Sequence, residues 1–368
     1  MNIKTITCHD VYNYGASLQA YALQEYLISQ GHNVEIIDYK PDYMRIHYKF
    51  WYIHEKSRYY RLAKKLWFVR FMLCCYFAPS KYATIGRKKN FDKFTKKHLH
   101  LTKRFNSYEE LTAGAPTADA YIAGSDQIWN CNLPNGKDGG YFLQFGNENT
   151  KRIAYAASFG ISEVPEENRK QMKVWLDKFD AISVREKTGV KILDTIGVKG
   201  IEVTDPVYLL TQEQWGCLAG SQRVVKDKYI LVYDLTLNDI RLKEEAERLS
   251  KKYGYKIVSV DGAKKCPYAK KNISNAGPQE FVNLIKNAEF IVTNSFHATS
   301  FSVIFNRPFV TYYKSHNISR IADLLNNIEM EQQLNPAVAG YKFDWERINE
   351  KLKNMRSASY LFLKNNTK

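Results

Sequence analysis

Hydrophobic and polar positions follow two different periods over the first forty residues. Residues 2–7 are mostly apolar, which predicts a short strand, whereas residues 17–31 repeat apolar side chains at helical spacing and stop at Gly31. An apolar run at residues 33–39 predicts a second strand. A strand, a helix and a strand in this order predict a βαβ unit, and therefore an α/β domain with parallel strands.

The same alternation of strands and helices continues through most of the chain. It predicts an N-terminal α/β domain at residues 1–210, a second α/β domain at residues 211–335, and a long charged amphipathic helix at residues 336–368. We therefore expect an α/β fold of two Rossmann-like domains that face a cleft. In open parallel sheets, ligands bind beyond the carboxyl ends of the strands, so candidate chemistry is sought there.

Composition narrows the class of protein. The 368 residues are 45% apolar, which is enough to bury a core and excludes wholesale disorder. No uninterrupted apolar run reaches the ~18 residues of a membrane span, and no apolar stretch follows a basic start as in a secretory signal. Six cysteines without C-x-x-C spacing argue against a disulfide scaffold and a structural zinc site. We expect a cytoplasmic protein.

Positive charge is concentrated in one segment. Residues 43–104 contain 17 of the 54 Lys and Arg residues but only two of the 38 acids, and aromatic residues separate the bases. This pattern predicts a basic helical insertion in the first domain. It is typical of a solvated insertion whose basic side chains extend over an aromatic core, or of a surface that meets anionic lipid or a lipid-linked anionic substrate at the inner face of the membrane. Nucleic-acid binding is the least favoured interpretation, because no RNP, KH or zinc-knuckle motif accompanies the bases.

The best chemical candidate lies at residues 293–301, where an apolar strand turns polar and a helix is predicted to begin. Asn294 and Ser295 supply capping oxygens there, and the free N–H groups of a helix start attract anions. His297 lies in the first turn of this helix. It is a candidate for proton transfer near neutral pH, and the alternative is a histidine that only caps or packs.

Arg185 is the second candidate, again at a strand end that leads into a helix. Its guanidinium can bind a carboxylate or a phosphate with two parallel hydrogen bonds. The alternative is an ion pair with Glu186 or another acid.

Three further polar turns follow predicted strands. Their glycines permit close approach of a ligand to the backbone, and their carboxylates can orient a hydroxyl, pair with a base or cap a helix. None of the turns matches a dinucleotide or phosphate-binding glycine motif, and common hydrolase, zinc and metal-dependent sugar-transfer motifs are absent from the sequence. The candidate binding residues in these turns are Asn13, Gly15, Ser125, Asp126 and Asp205.

Six sequence motifs together resemble the polysaccharide pyruvyl transferase family. NYGASLQAYALQ, IAGSDQIWN, KRIAYAASFG, SVREKTGVKIL, TDPVYLL and TNSFHATSFSVIFNRPFV occur in the family's order, and the match runs from about residue 8 to residue 326. The resemblance implies transfer of the pyruvyl group of phosphoenolpyruvate to two hydroxyls of a sugar, in a polysaccharide or lipid-linked glycan of capsule or exopolysaccharide, to form a cyclic ketal. It also implies a fold similar to the glycosyltransferase-B arrangement and no metal or organic cofactor.

The resemblance assigns roles to matching residues. His297 would be the general acid/base and Arg185 would bind the donor, with the acceptor on the side of the first domain and the donor on the side of the second. Many members have R-L-H where this chain has S-F-H at residues 295–297. The cation that is missing there would have to come from Lys314 or Arg320.

Three other functions remain as alternatives, and one of them is a transferase of this family that acts on another anionic donor. A nucleotide-sugar-dependent glycosyltransferase of the same two-domain fold would need a carboxylate in the second domain to hold the ribose, and no donor motif supports one. A protein without enzymatic activity would bind polyanions or membranes through residues 43–104.

Overall fold

The computed structural model describes most of the chain. The described residues are 1–45, 58–83, 85–236, 239–260, 265–313, 318–336 and 342–368. Lys314 and residues 46–57 of the basic segment lie outside the described residues.

The first half of the chain builds a seven-stranded parallel sheet, here called the first sheet. Its strand order is β3-β2-β1-β4-β5-β6-β7. The strands are β1 (Asn2–Ile6), β2 (Asn33–Tyr39), β3 (Leu101–Phe105), β4 (Ala120–Ala123), β5 (Lys151–Ala157), β6 (Ala181–Val184) and β7 (Ile201–Glu202). Strands β1, β4 and β5 are almost wholly buried, because helices cover both faces of a parallel sheet.

The second half builds a five-stranded parallel sheet, here called the second sheet. Its order is β10-β9-β8-β11-β12. The strands are β8 (Tyr229–Tyr233), β9 (Lys256–Val260), β10 (Lys271–Ile273), β11 (Phe290–Thr293) and β12 (Phe309–Thr311). The predicted α/β class with two Rossmann-like domains is confirmed by these two parallel sheets.

Helices connect the strands and cover the sheets. Several helices start after a side chain that accepts a hydrogen bond from the first turn, as Asp239 does ahead of α10, and Gly254 ends that helix with a left-handed backbone. The helices are α1 (Tyr14–Ser29), α2 (Asp42–Arg45), α3 (Tyr60–Lys65), α4 (Trp67–Ala83), α5 (Ile85–His98), α6 (Tyr108–Ala113), α7 (Glu166–Leu176), α8 (Lys187–Ile196), α9 (Gln212–Ala219), α10 (Ile240–Tyr253), α11 (Pro278–Asn287), α12 (Phe296–Ile304), α13 (Ile318–Asn327) and α14 (Trp345–Asn366). No described helix is long and apolar enough to cross a membrane.

The basic segment is helical over α3, α4 and α5, as the sequence predicts, but its last residues are not. Leu101–Phe105 form strand β3, which pairs in parallel with β2 at the edge of the first sheet. The prediction of a helical insertion therefore extends too far at its C-terminal end. Two of the five residues of β3 are basic and exposed, so the segment lacks the apolar alternation of a typical strand. Edge strands tolerate such charge.

One buried apolar cluster spans both halves of the molecule. Tyr14 at the start of α1 stacks on Phe281 of α11 with ring centroids 4.2 Å apart, and Trp215 meets Phe301 edge-on at 4.8 Å. The Tyr14–Phe281 contact buries aromatic surface between the two domains, and the Trp215–Phe301 contact lies within the second domain. The first turn of α1 is thereby held against the second domain.

The C-terminal helix α14 packs back onto the first half of the chain. The Ser359 hydroxyl accepts a hydrogen bond from the Thr204 amide at 2.9 Å, and the Tyr360 hydroxyl donates to the Leu209 carbonyl at 3.1 Å. The Tyr360 ring also stacks on Tyr26. The helix therefore braces the turn that follows β7, which carries Asp205.

Candidate functional site

The strand order reverses once in each sheet, and the two reversal points face each other. The first lies between β1 and β4 and the second between β8 and β11. Loops after parallel strands diverge at such a point and leave a crevice in which ligands bind. Residues from all four loops line one cavity of about 150 Å³, here called the cleft cavity. Its lining includes Asn13, Gly15, Asp126, Asn294, Ser295, His297 and Arg320.

Two helices begin at the cleft cavity. The Asn13 side chain accepts a hydrogen bond from the Ala16 amide at 3.2 Å and caps α1, and Ser295 does the same for α12 through the Ala298 amide at 3.4 Å. Both caps are as expected from residue type. The positive ends of two helices therefore face one space, which favours an anionic ligand there.

Gly15 lies directly against the imidazole of His297. A Cβ atom at this position would overlap the Nδ1, Cε1 and Cγ atoms of the ring. The glycine is therefore required for space and not for an unusual backbone conformation. The sequence suggested close backbone approach to a ligand at Gly15, whereas the group that approaches it is the candidate catalytic side chain.

Asp205 connects the two residues of the predicted catalytic pair. Its Oδ2 atom accepts a hydrogen bond from Arg185 Nη1 at 2.6 Å, and His297 Nε2 lies 3.6 Å from the same oxygen. Ser125 donates to that oxygen at 3.4 Å, and the Val207 amide donates to Oδ1 at 3.0 Å. Asp205 therefore caps the turn that follows it and also pairs with a base. The sequence alone offers these two roles as alternatives.

Burial and charge set the ionisation of this pair. Burial by itself would raise the pKa of the Asp205 carboxyl, but contact with His297 and the charge of Arg185 outweigh it and hold the pKa well below its usual range. Burial would lower the pKa of Arg185, but Asp205, Glu186 and Asp126 outweigh it and raise that pKa. The carboxylate and the guanidinium are therefore both charged at neutral pH.

Arg185 has donor groups that make no hydrogen bond to the described residues. Its Nε atom lies 3.7 Å from Glu186, beyond hydrogen-bond distance, and neither Nε nor Nη2 has a hydrogen-bond partner among the described residues. The side chain is only 2% exposed, and its guanidinium carbon lies 5.1 Å from the centre of the Phe296 ring. Buried donors without a partner are rare in proteins and often mark a ligand site.

A second guanidinium adjoins the first. The Gln127 side-chain oxygen, with its amide turned toward Arg320, accepts from both terminal nitrogens of Arg320 at 2.9 and 3.2 Å. The pKa of Arg320 is lowered by burial and by the positive charge of Arg185. Arg320 was predicted as a substitute for the missing cation of the R-L-H triplet, and it lines the cleft cavity. Lys314, the other predicted substitute, lies outside the described residues.

A larger cavity of about 410 Å³ adjoins the cleft cavity, and it is here called the side cavity. Phe296 and Arg320 line both cavities, and Arg185 and Asp205 line the side cavity. Two carboxyl groups, those of Glu202 and Asp323, also line it. Burial raises the pKa of Glu202 and of Asp323, against the partial compensation of Lys187.

The predicted residues converge, but they do not share one role. Asn294 lines the cleft cavity, yet its amide nitrogen donates to Asp234 at 2.6 Å and its oxygen accepts from the Leu235 amide at 2.8 Å. It therefore ties two loops together. Asp126 takes a left-handed φ of 77° and accepts from the amide of the next residue at 2.8 Å.

Sequence reasoning missed three residues of the site. Gln127 and Phe296 each lie beside a residue that was predicted, inside the IAGSDQIWN and TNSFHATSF motifs, so the motifs offered a signal for both. Asp234 follows β8, and its position after a buried strand was the available signal.

One protein family and several solved structures are similar to this chain. The family model described as polysaccharide pyruvyl transferase matches residues 13–316. No curated protein matches the chain. The chain is similar in fold to UDP-N-acetylglucosamine 2-epimerase from Rickettsia bellii, with 11% identity, 97% of this chain and 88% of that chain covered, and a TM-score of 0.46.

Two sugar transferases are similar at the same level. ADP-heptose LPS heptosyltransferase II from E. coli has 12% identity, with 98% of this chain and 100% of that chain covered and a TM-score of 0.40. An alpha-glucosyltransferase in complex with UDP and a 13-mer DNA has 9% identity, with 98% and 90% covered and a TM-score of 0.48.

Proposed function

The chain belongs to the polysaccharide pyruvyl transferase family, and we propose that it transfers the pyruvyl group of phosphoenolpyruvate to two hydroxyls of a sugar, forming a cyclic ketal. The observation that carries this proposal is Arg185, a buried guanidinium with two donors that have no partner among the described residues, held by Asp205 beside His297. The reaction uses phosphoenolpyruvate as its donor substrate, and we expect it to need no metal or organic cofactor.

The charges around the cleft suit this donor. Phosphoenolpyruvate carries a carboxylate and a phosphate, and both groups are recognised by guanidinium groups and helix N-termini. Arg185 and Arg320 supply two guanidinium groups, and α1 and α12 supply two helix starts. Arg320 takes the place of the guanidinium that the S-F-H triplet lacks.

The proposed chemistry requires one proton donor at the donor's methylene carbon. Protonated His297 gives its proton to that carbon while a sugar hydroxyl attacks the carbon that bears the phosphate. Inorganic phosphate then leaves, and the second hydroxyl attacks the same carbon to close the ketal. Of the two hydroxyl protons, one restores the imidazolium and the other leaves with phosphate. General acid/base catalysis of this kind is worth about 10²–10⁴-fold.

Asp205 contacts the proposed proton donor. Its Oδ2 atom lies 3.6 Å from Nε2 of His297, and the carboxylate stays ionised at neutral pH. The same carboxylate fixes the guanidinium of Arg185 at 2.6 Å. One buried anion therefore orients the proton donor and the group that holds the donor substrate.

The side cavity is the proposed position of the acceptor sugar. Carboxyl groups and amides bind sugar hydroxyls, and an aromatic ring packs on the sugar face. The cavity offers Glu202, Asp323, Asn354 and the ring of Phe296. It adjoins Arg185 and Asp205, so a hydroxyl bound there would be near the donor.

Calorimetric titration with phosphoenolpyruvate, and separately with a panel of nucleotide sugars, tests the donor. Wild-type protein should bind phosphoenolpyruvate saturably, and Arg185→Ala should weaken binding by about tenfold to a hundredfold, since hydrogen bonds to charged groups are worth about 1.5–3 kcal/mol. Arg185→Lys keeps the charge and should weaken it less. Arg169→Ala, at an ion-paired arginine on α7, is the matched control and should bind as wild type. Binding of a nucleotide sugar alone would contradict the proposal.

A further inference from the structure

Helix α4 exposes an apolar face. Trp67 and Tyr76 are each 77% exposed, Phe68 is 59% exposed and Met72 is 53% exposed. Residues four apart lie above one another on a helix, so two adjacent rows form one continuous face. The face consists of Trp67, Phe71 and Cys75 in one row and Phe68, Met72 and Tyr76 in the other. Soluble proteins rarely expose a contiguous apolar patch of this kind without a partner for it.

Packing against the rest of the chain holds the helix in place. Cys74 is only 1% exposed, next to the row that begins at Trp67, and Val69 and Leu73 are partly buried. The apolar face is therefore turned outward by the fold itself.

Exposed bases lie close to the apolar face along the chain. Between residues 56 and 91 the sequence contains no acid. Helix α3 and the residues next to it add exposed Leu62 and Leu66, 47% and 51% exposed, to the apolar side. The exposed bases between residues 58 and 70 are Arg58, Arg61, Lys64, Lys65 and Arg70. We call the apolar face of α4 and these bases the basic apolar surface.

We propose that the basic apolar surface docks on an anionic lipid bilayer. Aromatic and aliphatic side chains enter the region between head groups and acyl chains, and lysine and arginine bind the anionic head groups. This mode of docking does not require α3 or α4 to cross the membrane. Helix α4 has only 17 residues, and Arg70 is one of them. Insertion of apolar side chains and attraction of basic side chains to anionic head groups are each weak. Together they hold a protein stably on a bilayer.

Charge favours lipid over a second copy of this chain. A symmetric dimer through this surface would bring the two sets of bases together, and nearby acids that would compensate are absent from residues 56–91. An anionic bilayer is complementary to the same charge.

The surface is connected to the cleft through α5. Arg87 of α5 donates to the Tyr14 hydroxyl at 3.0 Å, and Asn90 donates to the Asn275 carbonyl of the second domain at 2.6 Å. Tyr14 lines the cleft cavity. Docking through α3 and α4 would therefore fix the position of the cleft relative to the bilayer. The inference does not depend on the identity of the donor substrate.

Flotation of the full chain with lipid vesicles tests the proposal. Vesicles of phosphatidylcholine alone are compared with vesicles in which about a third of the lipid is phosphatidylglycerol. The wild type should float only with the anionic vesicles. Lys64→Glu with Lys65→Glu should weaken this binding about thirtyfold or more, at about 1 kcal/mol for each base. The matched control is Lys251→Glu with Lys252→Glu, which makes the same charge change on α10 and should bind as wild type.

Apolar insertion is tested by a second pair of variants. Trp67→Ser with Phe68→Ser should abolish flotation, whereas Val174→Ser with Leu361→Ser, at residues 52% and 58% exposed elsewhere, should not. Failure of the wild type to float with anionic vesicles, or equal loss in both control variants, would overturn the proposal. Tight binding of single-stranded RNA without vesicle binding would assign the surface to nucleic acid. A dimer that dissociates on the Trp67 substitution would assign it to a second copy.

Discussion

Gly15→Ala is expected to abolish pyruvyl transfer while the protein still folds. The added methyl group would overlap the imidazole of His297, so the ring has to leave its place 3.6 Å from Asp205. Alanine is the better helix former, so the substitution itself does not disfavour helix α1. Loss of the positioned proton donor should lower kcat by about 10²–10⁴-fold, measured by phosphate release from phosphoenolpyruvate with a pyruvylatable glycan.

Two controls separate this effect from a general disturbance of the helix. Gly216→Ala makes the same change inside α9, where only the Lys286 ammonium comes within 3.6 Å of the new atom, and it should leave activity unchanged. In the His297→Ala background the ring is gone, so Gly15→Ala should cost no further activity. Full activity of the single Gly15→Ala variant would show that the imidazole position does not matter.

Asp205→Asn is expected to cost both activity and stability. It removes the anion that pairs with Arg185 at 2.6 Å and contacts His297, and it leaves a guanidinium that is 2% exposed without its nearest counterion, with Glu186 3.7 Å from Nε. Breaking a buried ion pair in this way costs about 3–5 kcal/mol of the free energy of unfolding. Urea unfolding measures this loss, and the protein that remains folded should have lost at least as much activity as the Gly15→Ala variant.

The stability loss should depend on pH with a definite sign. The folded-state pKa of Asp205 is depressed, so its contribution is fully present above the unfolded value of about 3.9 and is lost as the pH falls through the folded value. The difference in unfolding free energy between wild type and Asp205→Asn should therefore be constant from neutral pH down to about pH 5 and shrink below about pH 4. A difference that grew on acidification would contradict the assignment.

Asp38→Asn provides the matched control. Asp38 is also buried between an arginine and a histidine, with Arg104 Nε at 2.9 Å and His9 Nε2 at 3.5 Å, but it lines neither cavity. This variant should lose less stability than Asp205→Asn, because Arg104 is 47% exposed. The folded protein should retain activity. Equal loss of activity in both variants would mean that Asp205 acts only through stability.

The sequence predicts the elements of the fold well, because buried parallel strands and amphipathic helices have strong periodic patterns. Strand β3 is not predicted because basic residues interrupt its pattern, and β10 is not predicted because it has only three residues. Candidate residues were found at strand ends, since the carboxyl edge of a parallel sheet is where loops meet.

The pairing of the site residues was not predictable from local pattern. Arg185 was expected to pair with Glu186 or another acid, and the structure brings Asp205, 20 positions away, closer to it than its neighbour. The fit of Gly15 against His297 joins positions from different domains. Such contacts depend on how the two sheets face each other, which no short motif encodes.

The most direct test of the central claim is a reaction in deuterated water with phosphoenolpyruvate and a mixture of candidate acceptor glycans, in the presence of a chelator and followed by NMR. The account predicts one phosphate released for each new ketal and one deuterium in its methyl group, with both signals lost in His297→Ala and Gly15→Ala. Phosphate release without a ketal, a ketal that still forms in His297→Ala, or sugar transfer from a nucleotide sugar instead would contradict it.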